Sequence, residues 1–479
     1  MSSSDRFESP LGTRYSSPAM QELWSAKRRA VLWRKIWLVL AQAQSELGAD
    51  IPDRALVDMK AHLSDIDLDA VAAYEKQFRH DVMAHIHAFG DTAPTAKPYI
   101  HLGATSAFVT DNADVIVMRD GLSLILGRLK RVMQALSEFA LENRAMPTVA
   151  YTHFQPAQLT TVGKRATLWL YDFSQDAKDL ALLTTELPCR GCKGTTGTQA
   201  SYLEIFDGDH DKVRELDRKV ATALKFERSV PVSGQTYSRK HDFRILAALS
   251  GLAQSAYKFA TDLRLLQHEG ELLEPFESDQ IGSSAMPYKK NPMRAERICS
   301  LARYLISLTD NTAHTAASQW FERTLDDSAN RRIVLADAFL AADAILVLLE
   351  NICSGLVIRE RTIMRNVERI MPFMAAERWL VRGVRSGGDR QELHKVIRKH
   401  SLAVTEAVED GAENNLVDLI AADPAFAKVK KSDLDQELNP VKYVGRSSEQ
   451  VQEFLDEWIK HRMAELKDYA VPDKVGLEV

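Results

Sequence analysis

The sequence predicts a mainly α-helical protein with a long central helical bundle. Apolar residues recur three and four positions apart from Val115 to Phe139, a spacing typical of a helix buried along a seam with other long helices. The segment Ile333 to Ile358 is apolar on nearly every face, so other helices must surround it. Strand patterns are sparse. Since 479 residues exceed one ordinary core, we expect three helical domains: 1–105, 106–358 with the bundle, and 359–479.

The two bundle segments also indicate self-association. One chain holds few helices long enough to cover both of them, so we expect copies of the chain to share the bundle.

Composition and charge exclude several classes of function. The chain is 45% hydrophobic and 27% charged, with a net charge of −5, which fits a soluble globular protein and argues against nucleic acid as a partner. Asp337, Asp343 and Glu350 interrupt the most apolar segment, so we expect no membrane span. The N-terminal MSSSDRFESPLG has no apolar core, and we expect no secretory signal.

The cysteines predict a reducing cytoplasmic setting. Cys189, Cys192, Cys299 and Cys353 are too few for a disulfide framework in a chain of this length. The first two form one Cys-x-x-Cys pair, but a zinc site needs two further ligands and there is no second pair. We therefore expect neither a metal nor a cofactor.

The stretch Gly282 to Pro292, GSSAMPYKKNP, is the most informative part of the chain. Its two prolines prevent a helix, so it forms a loop between two helical patterns. Hydroxyl and ammonium groups crowd this loop, including those of Ser283 and Lys289, as expected of a mobile catalytic loop that meets an anion. An ordinary solvated turn is the alternative.

This stretch matches every defined position of the GSSxMPxKxNP signature of the fumarase/aspartase superfamily, whose members release fumarate from a succinyl group. Together with the motifs below, the chain most resembles the eukaryotic-type adenylosuccinate lyase family. The resemblance implies the three-domain helical fold of the superfamily and a homotetramer whose active sites combine residues of three subunits. There are two alternatives. The chain could be argininosuccinate lyase or another fumarate-releasing relative, or it could be a family member that has lost catalysis.

The resemblance also implies the reaction and its residues. The substrates would be adenylosuccinate and succinyl-aminoimidazole carboxamide ribotide, and the preference between them stays open. Ser283 would be the base, while Lys289 and Asn291 would stabilise the carbanion. Glu296, after the loop, would pair with the catalytic histidine; capping of its own helix is the competing role.

That histidine lies in AYTHFQPAQLTT, residues 150–161. Pro156 breaks regular structure and places His153 at a helix start or bend. By resemblance the Thr152-His153 pair is catalytic, with His153 protonating the leaving nitrogen. Imidazole suits this role because its ordinary pKa lies nearest neutrality, although most lone histidines are structural.

Two motifs near the N-terminus are also assigned by resemblance. Arg14 and Tyr15, in LGTRYSSPAM, would grip the nucleotide phosphate, and a helix should follow over 18–47. Arg79, His80 and Asp81, in RHDVMAHIHAFG, would belong to the substrate pocket. The three histidines of the second motif are too scattered around a helix for a metal site.

In HLGATSAFVTDNAD, Thr105 and Ser106 offer short hydroxyls that can hold a carboxylate. Capping of the next helix is their competing role, although Asp111 or Asn112 can supply that cap.

The remaining substrate-binding candidates lie in the second half of the chain. Gln235 follows a Ser-Gly turn, where a capped helix start is an equal alternative. A solvated charged surface is the alternative for the arginine-rich stretch 322–332. Arg390 and His394 fall in a block similar to the family's C-terminal region, but no role is assigned to them. By resemblance, the substrate-binding residues here are Gln235, Arg297, Arg323, Ser328 and Arg332.

Overall fold

The computed structural model describes residues 7–476. Residues 1–6, where the sequence predicts no secretory signal, lie outside the described residues, and so do the last three residues of the predicted third domain. No helix within the described range is both long and apolar enough to cross a lipid bilayer.

Short helices form the N-terminal region. The single helix predicted over 18–47 is wrong, because Ser25 caps a new helix start by accepting the amide of Arg28 at 3.1 Å. The elements are a π-helical turn Leu11–Tyr15, α1 (Pro18–Leu23), α2 (Ala26–Glu46), α3 (Asp53–Ala61), α4 (Leu68–Phe78) and α5 (Asp81–Thr92).

Long helices form the centre of the chain, and the predicted mainly helical fold with a long bundle is confirmed. The apolar seam of the first of these helices is buried. The elements are α6 (Ser106–Glu142), β1 (Pro147–Thr152), β2 (Gln155–Thr161), α7 (Val162–Glu186), α8 (Ala200–Ile205), α9 (His210–Ala223), α10 (Lys240–His268), β3 (Leu272–Leu273), α11 (Met293–Ser318), α12 (Asp326–Cys353) and β4 (Val357–Ile358).

The last third of the chain is also helical and encloses a second, smaller core around Trp379, whose indole donates to the carbonyl of Leu434 at 3.0 Å. The three-domain division stays a prediction. The elements are α13 (Glu360–Arg385), α14 (Arg390–Glu409), α15 (Leu416–Ala422), α16 (Lys431–Asp435), α17 (Ser447–Glu453) and α18 (Lys460–Glu465), with 3-10 turns at Pro424–Phe426, Gln436–Leu438 and Pro440–Tyr443 and a π-helical turn at Phe454–Ile459.

The bundle has two distinct ends. At one end, which we call the cavity end, α6, α10 and α12 begin and α11 finishes, as shown by the 2.7 Å bond from Asn330 to Thr315. At the other, the loop end, α6 and α10 finish and α11 begins, and the strands β3 and β4 pair. The antiparallel hairpin β1–β2 stands at the loop end, where Thr148 donates to Glu271 at 3.2 Å.

Candidate active site

A cavity of about 670 Å³ opens at the cavity end, between the N-terminal helices and the starts of α6 and α12. We call it the histidine cavity. It gathers a large share of the side chains that the sequence assigned to substrate. These are Arg79, His80, Asp81, Thr105, Ser106, Gln235, Arg323, Ser328 and Arg332.

His80 stands at the N-cap of α5 with a defined ring orientation. Its Nδ1 accepts the amide of Met83 at 3.3 Å, and its Nε2 lies 3.5 Å from the hydroxyl of Ser106. Since Nδ1 accepts a proton donor, the neutral ring carries its own proton on Nε2. His80 is thus prepared to donate a hydrogen bond into the cavity. Arg79, just before it, has φ 54°, a left-handed conformation that ends α4.

Asp81 and Arg332 pair across the histidine cavity. Burial would raise the pKa of Asp81, but the Arg332 guanidinium and the amide of Val82 hold that pKa below its ordinary value. The two charges join α5 to α12 and keep the arginine beside His80.

The start of α6 is not capped by the residues that the sequence predicted. Thr105 takes the N-cap position without a side-chain cap bond, and Ser106 is the first helical residue. The predicted cap by Asp111 or Asn112 is wrong, because both residues lie inside the helix and are buried. The Thr105 and Ser106 hydroxyls therefore stay beside the cavity.

Below the cavity lies a buried ionic network that the sequence analysis missed. Asp111 accepts the amide of Tyr237 at 3.0 Å and two bonds from Arg239 at 3.1 and 3.2 Å. Arg239 also donates to Asp327 at 2.6 Å. Burial would raise the pKa of Asp111, but the arginines Arg239 and Arg331 lower it, so the carboxylate stays charged. The only sequence signal was charged residues within apolar helical patterns.

Arg331 completes this network from α12. It donates to Asp242 at 2.7 Å, to Asp114 at 3.0 Å and to the hydroxyl of Tyr237 at 2.5 Å. The starts of α6, α10 and α12 are thereby held together by charge-assisted hydrogen bonds. The residue next to it, Arg332, points instead to Asp81.

Gln235 is positioned by its backbone. Its amide donates to the carbonyl of Glu322 at 2.9 Å, and its own carbonyl accepts from Arg190 at 2.7 Å. Gly234 permits this approach, since a Cβ there would lie 2.6 Å from the Glu322 oxygen. Gln235 lines the histidine cavity from this position.

A second cavity, of about 750 Å³, gathers Arg14, Tyr15 and Arg297. We call it the tail cavity, because residues 472–476 also line it. The Arg297 guanidinium stacks 5.4 Å from the centre of the Tyr15 ring, a cation–π geometry. Burial lowers the pKa of Arg297, while Tyr15 opposes that shift.

The signature loop closes on itself at the loop end. Asn291 donates from its amide to the carbonyl of Gly282 at 2.7 Å and so pins the two ends of the loop. The Ser283 hydroxyl accepts the backbone amides of Ala285 and Met286 at 3.3 and 3.2 Å. Two amide donors on one hydroxyl oxygen favour its alkoxide form. Lys289 is exposed in the same loop.

His153 is exposed at the turn of the β1–β2 hairpin, so the predicted bend is a hairpin turn instead of a helix start. His153 and Phe154 have φ values of 52° and 60°, between the paired Thr152 and Gln155. Turns with two left-handed residues prefer Asn-Gly, since larger side chains are strained there. Such strain is typical of a functional position.

Glu296 is exposed in the first turn of α11. Within residues 7–476 it makes no hydrogen bond or ion pair with His153. The buried Glu274, which the sequence analysis missed, caps α11 by accepting the amides of Arg294 at 3.1 Å and Ala295 at 2.9 Å. Burial raises the pKa of Glu274.

One chain therefore keeps its candidate residues far apart. Helix α6 separates Ser106 from the hairpin of His153 and, with 37 residues, spans about 55 Å. Helix α11, with 26 residues, spans about 39 Å between the signature loop and the Arg323 segment. The hairpin strands have at most seven residues and reach only about 23 Å.

Other candidate groups stay apart from these sites. Arg390 and His394 are exposed on α14. All four cysteines are buried and free. Among the described residues no group of three or more His, Cys, Asp or Glu side chains is arranged to hold a metal ion.

The chain is similar to known lyases along most of its length. The model of the lyase family matches residues 20–306, and that of the adenylosuccinate lyase C-terminus matches residues 372–454. The chain is 47% identical to an adenylosuccinate lyase of Saccharomyces cerevisiae and 45% identical to one of Schizosaccharomyces pombe, in each case over 99% of both chains. The solved 3-carboxy-cis,cis-muconate lactonizing enzyme of Pseudomonas putida has the same fold, with a TM-score of 0.79 and 23% identity over 96% of this chain and 99% of that one.

Proposed function

The chain belongs to the adenylosuccinate lyase family, and we propose that it eliminates fumarate from adenylosuccinate to give AMP. By the same chemistry it releases fumarate from succinyl-aminoimidazole carboxamide ribotide, a second step of purine nucleotide biosynthesis. The observation that carries the proposed chemistry is the Ser283 hydroxyl, which accepts two backbone amides inside a loop that also holds Lys289.

The first step is removal of a proton from the carbon next to a substrate carboxylate. The amides of Ala285 and Met286 favour the alkoxide of Ser283, which takes this proton. The electron pair left on carbon spreads into the adjacent carboxylate. The ammonium of Lys289 stabilises the added negative charge, and more strongly once the loop excludes water.

The second step breaks the carbon–nitrogen bond. Its electron pair goes to nitrogen, and His153 donates the proton that nitrogen then needs. The exposed position of His153 on a hairpin turn suits a side chain that enters a site built largely by another copy of the chain. Glu296 of a neighbouring copy orients the imidazole and supports its charged form.

The two cavities hold the remainder of the substrate. Arg14, Tyr15 and Arg297 grip the phosphate. In the histidine cavity the substrate meets Arg79, His80, Asp81, Thr105, Ser106, Gln235, Arg323, Ser328 and Arg332, and near the reacting bond it meets Thr152 and Asn291.

We also propose that the active enzyme is a homotetramer whose sites combine residues of three subunits. Helices α6 and α11, of about 55 and 39 Å, hold the histidine cavity and the signature loop at opposite ends of one chain. Copies packed in opposite directions bring the loop end of one beside the cavity end of another. Mixing inactive His153→Ala and Ser283→Ala variants should then restore activity; if each variant is a tetramer and the mixture stays inactive, shared sites are wrong.

The proposed setting is the cytoplasm, since four buried free cysteines fit a reducing compartment. Nucleic acid and membranes are not among the proposed partners, given the net charge of −5.

The direct test is turnover of adenylosuccinate by the purified protein, followed by absorbance, with AMP and fumarate identified by chromatography. Argininosuccinate is the control substrate. Turnover of adenylosuccinate alone is the expected result. Turnover of argininosuccinate alone would favour the alternative lyase, and turnover of neither by a folded tetramer would favour a protein that has lost catalysis.

A further inference from the structure

The C-terminal segment, residues 466–476, lies along α6 and ends in the tail cavity. Lys130 donates to the carbonyls of Leu466 at 3.2 Å and Tyr469 at 3.4 Å. Arg131 donates to the carbonyl of Pro472 while its other nitrogen bonds Glu350 at 2.6 Å. Charged side chains of α6 thus fix the path of a segment that has no regular structure beyond Tyr469.

Gly127 on the same helix permits this path. A Cβ at this position would lie 2.1 Å from the carbonyl oxygen of Ala470, closer than any real contact. Glycine inside a helix costs about 1 kcal/mol relative to alanine. The close approach of the C-terminal segment explains why α6 keeps a glycine there.

The end of the segment lines the tail cavity together with the predicted phosphate-binding residues. Pro472, Asp473 and Lys474 all line it. Its described lining residues include the cations Arg14, Arg297 and Lys474 and one acid, Asp473. Arg128 also lines it, but that guanidinium is already paired with Asp343. Such an excess of positive charge suits a dianionic phosphate.

The floor of the cavity holds a buried arginine, Arg128. Arg128 is 1% exposed, donates to Asp343 at 2.7 Å and lies 3.6 Å from Glu350. Its buried Nη1 makes no hydrogen bond within the described residues. Nη1 is the guanidinium nitrogen that lies 3.6 Å from Glu350, so Arg128 is held below the cavity as a paired cation.

We propose that residues 472–476 form a wall of the phosphate-binding part of the active site and that Lys474 binds the substrate phosphate together with Arg14, Tyr15 and Arg297. A phosphate offers three acceptor oxygens and is best held from several sides. The inference rests on the proposed function, because it assigns a further residue to the same substrate.

The test compares Lys474→Ala with Lys460→Ala, which removes an exposed cation of α18 that does not line the tail cavity. Lys474→Ala should raise KM for adenylosuccinate about three- to fivefold with little change in kcat, as expected for one exposed charge pair. It should weaken competitive inhibition by AMP by a similar factor and leave inhibition by fumarate, which has no phosphate, unchanged. Lys460→Ala should behave as the wild type.

A second variant, Gly127→Ala, displaces the segment without replacing any residue that lines the cavity. It should raise KM on its own, and adding Lys474→Ala to it should then have little further effect, because the ammonium has already left the cavity. Additive effects would overturn the inference, as would an unchanged KM for Lys474→Ala in an active enzyme. If the wild type does not turn over adenylosuccinate, the proposed function fails and this inference fails with it.

Discussion

Arg239 donates its Nε–H to Asp327 across 2.6 Å in the interior, and the two residues stand at the starts of α10 and α12. Both side chains are at most 1% exposed. Asp327 also lies 3.6 Å from Arg323, a predicted substrate-binding residue. The buried pair therefore orders the wall of the histidine cavity.

Removing one member of this pair should destabilise the protein. Asp327→Ala removes one of the two carboxylates that form ion pairs with Arg239 among the described residues. Breaking a buried ion pair typically costs about 3–5 kcal/mol. Calorimetry should show a clear fall in Tm. Asp326→Ala removes the exposed neighbouring carboxylate and should change Tm little; equal effects of the two variants would contradict the assignment.

Substitutions of His153 in the hairpin turn should affect stability, through backbone strain, separately from activity. Asparagine tolerates a left-handed backbone better than histidine, whereas a β-branched valine does so poorly. His153→Asn should therefore keep or raise Tm, and His153→Val should lower it. Both variants should lose at least about 100-fold in kcat, because neither side chain donates a proton at neutral pH. An active His153→Asn enzyme would remove the proposed acid role.

The two loop serines, Ser283 and Ser284, should contribute very differently to kcat. Ser283→Ala removes the hydroxyl that accepts two amides, so kcat should fall at least about 100-fold while substrate still binds. Ser284→Ala changes a neighbouring exposed hydroxyl that carries no assigned role. Its kcat should stay close to that of the wild type, and similar losses in both variants would point to the loop backbone as the cause.

Asp176 on α7 should make stability depend on pH. Burial raises its pKa to about 7, with smaller effects from nearby carboxylates, and its Oδ2 is buried without a hydrogen-bond partner in the described chain. An unfolded aspartate titrates near 4, so between about pH 4 and 7 the unfolded state binds fewer protons than the folded state. Stability should fall over this range, by up to about 1.4 kcal/mol per pH unit, and then level off.

Asp176→Asn should remove that dependence. Its Tm should exceed that of the wild type at pH 8 and approach it near pH 4. Asp179→Asn, an exposed neighbour on α7 whose charge helps to raise the pKa of Asp176, should keep the pH dependence and move it to slightly lower pH. A constant difference between Asp176→Asn and the wild type across this range would show that Asp176 is ionised throughout.

Much of the fold was predictable because it depends on local pattern. The apolar spacing from Val115 to Phe139 specified a long buried helix, since each of these side chains needs cover from the same side. The break between α1 and α2 was missed because the cap of Ser25 interrupts an otherwise helical composition. The hairpin of His153 was missed because the turn carries residues that such turns rarely use.

The convergence of side chains was not predictable from local pattern. The sequence alone determined the chemistry available to this protein: a Ser-rich, Lys-rich loop that cannot be helical, a histidine near a break, and long apolar helices. The tertiary structure alone decided which charges meet. Asp111, Arg239 and Asp327 are distant in sequence and become one network only where three helices begin together. Burial then makes their pairing strong, because charges removed from water must find partners.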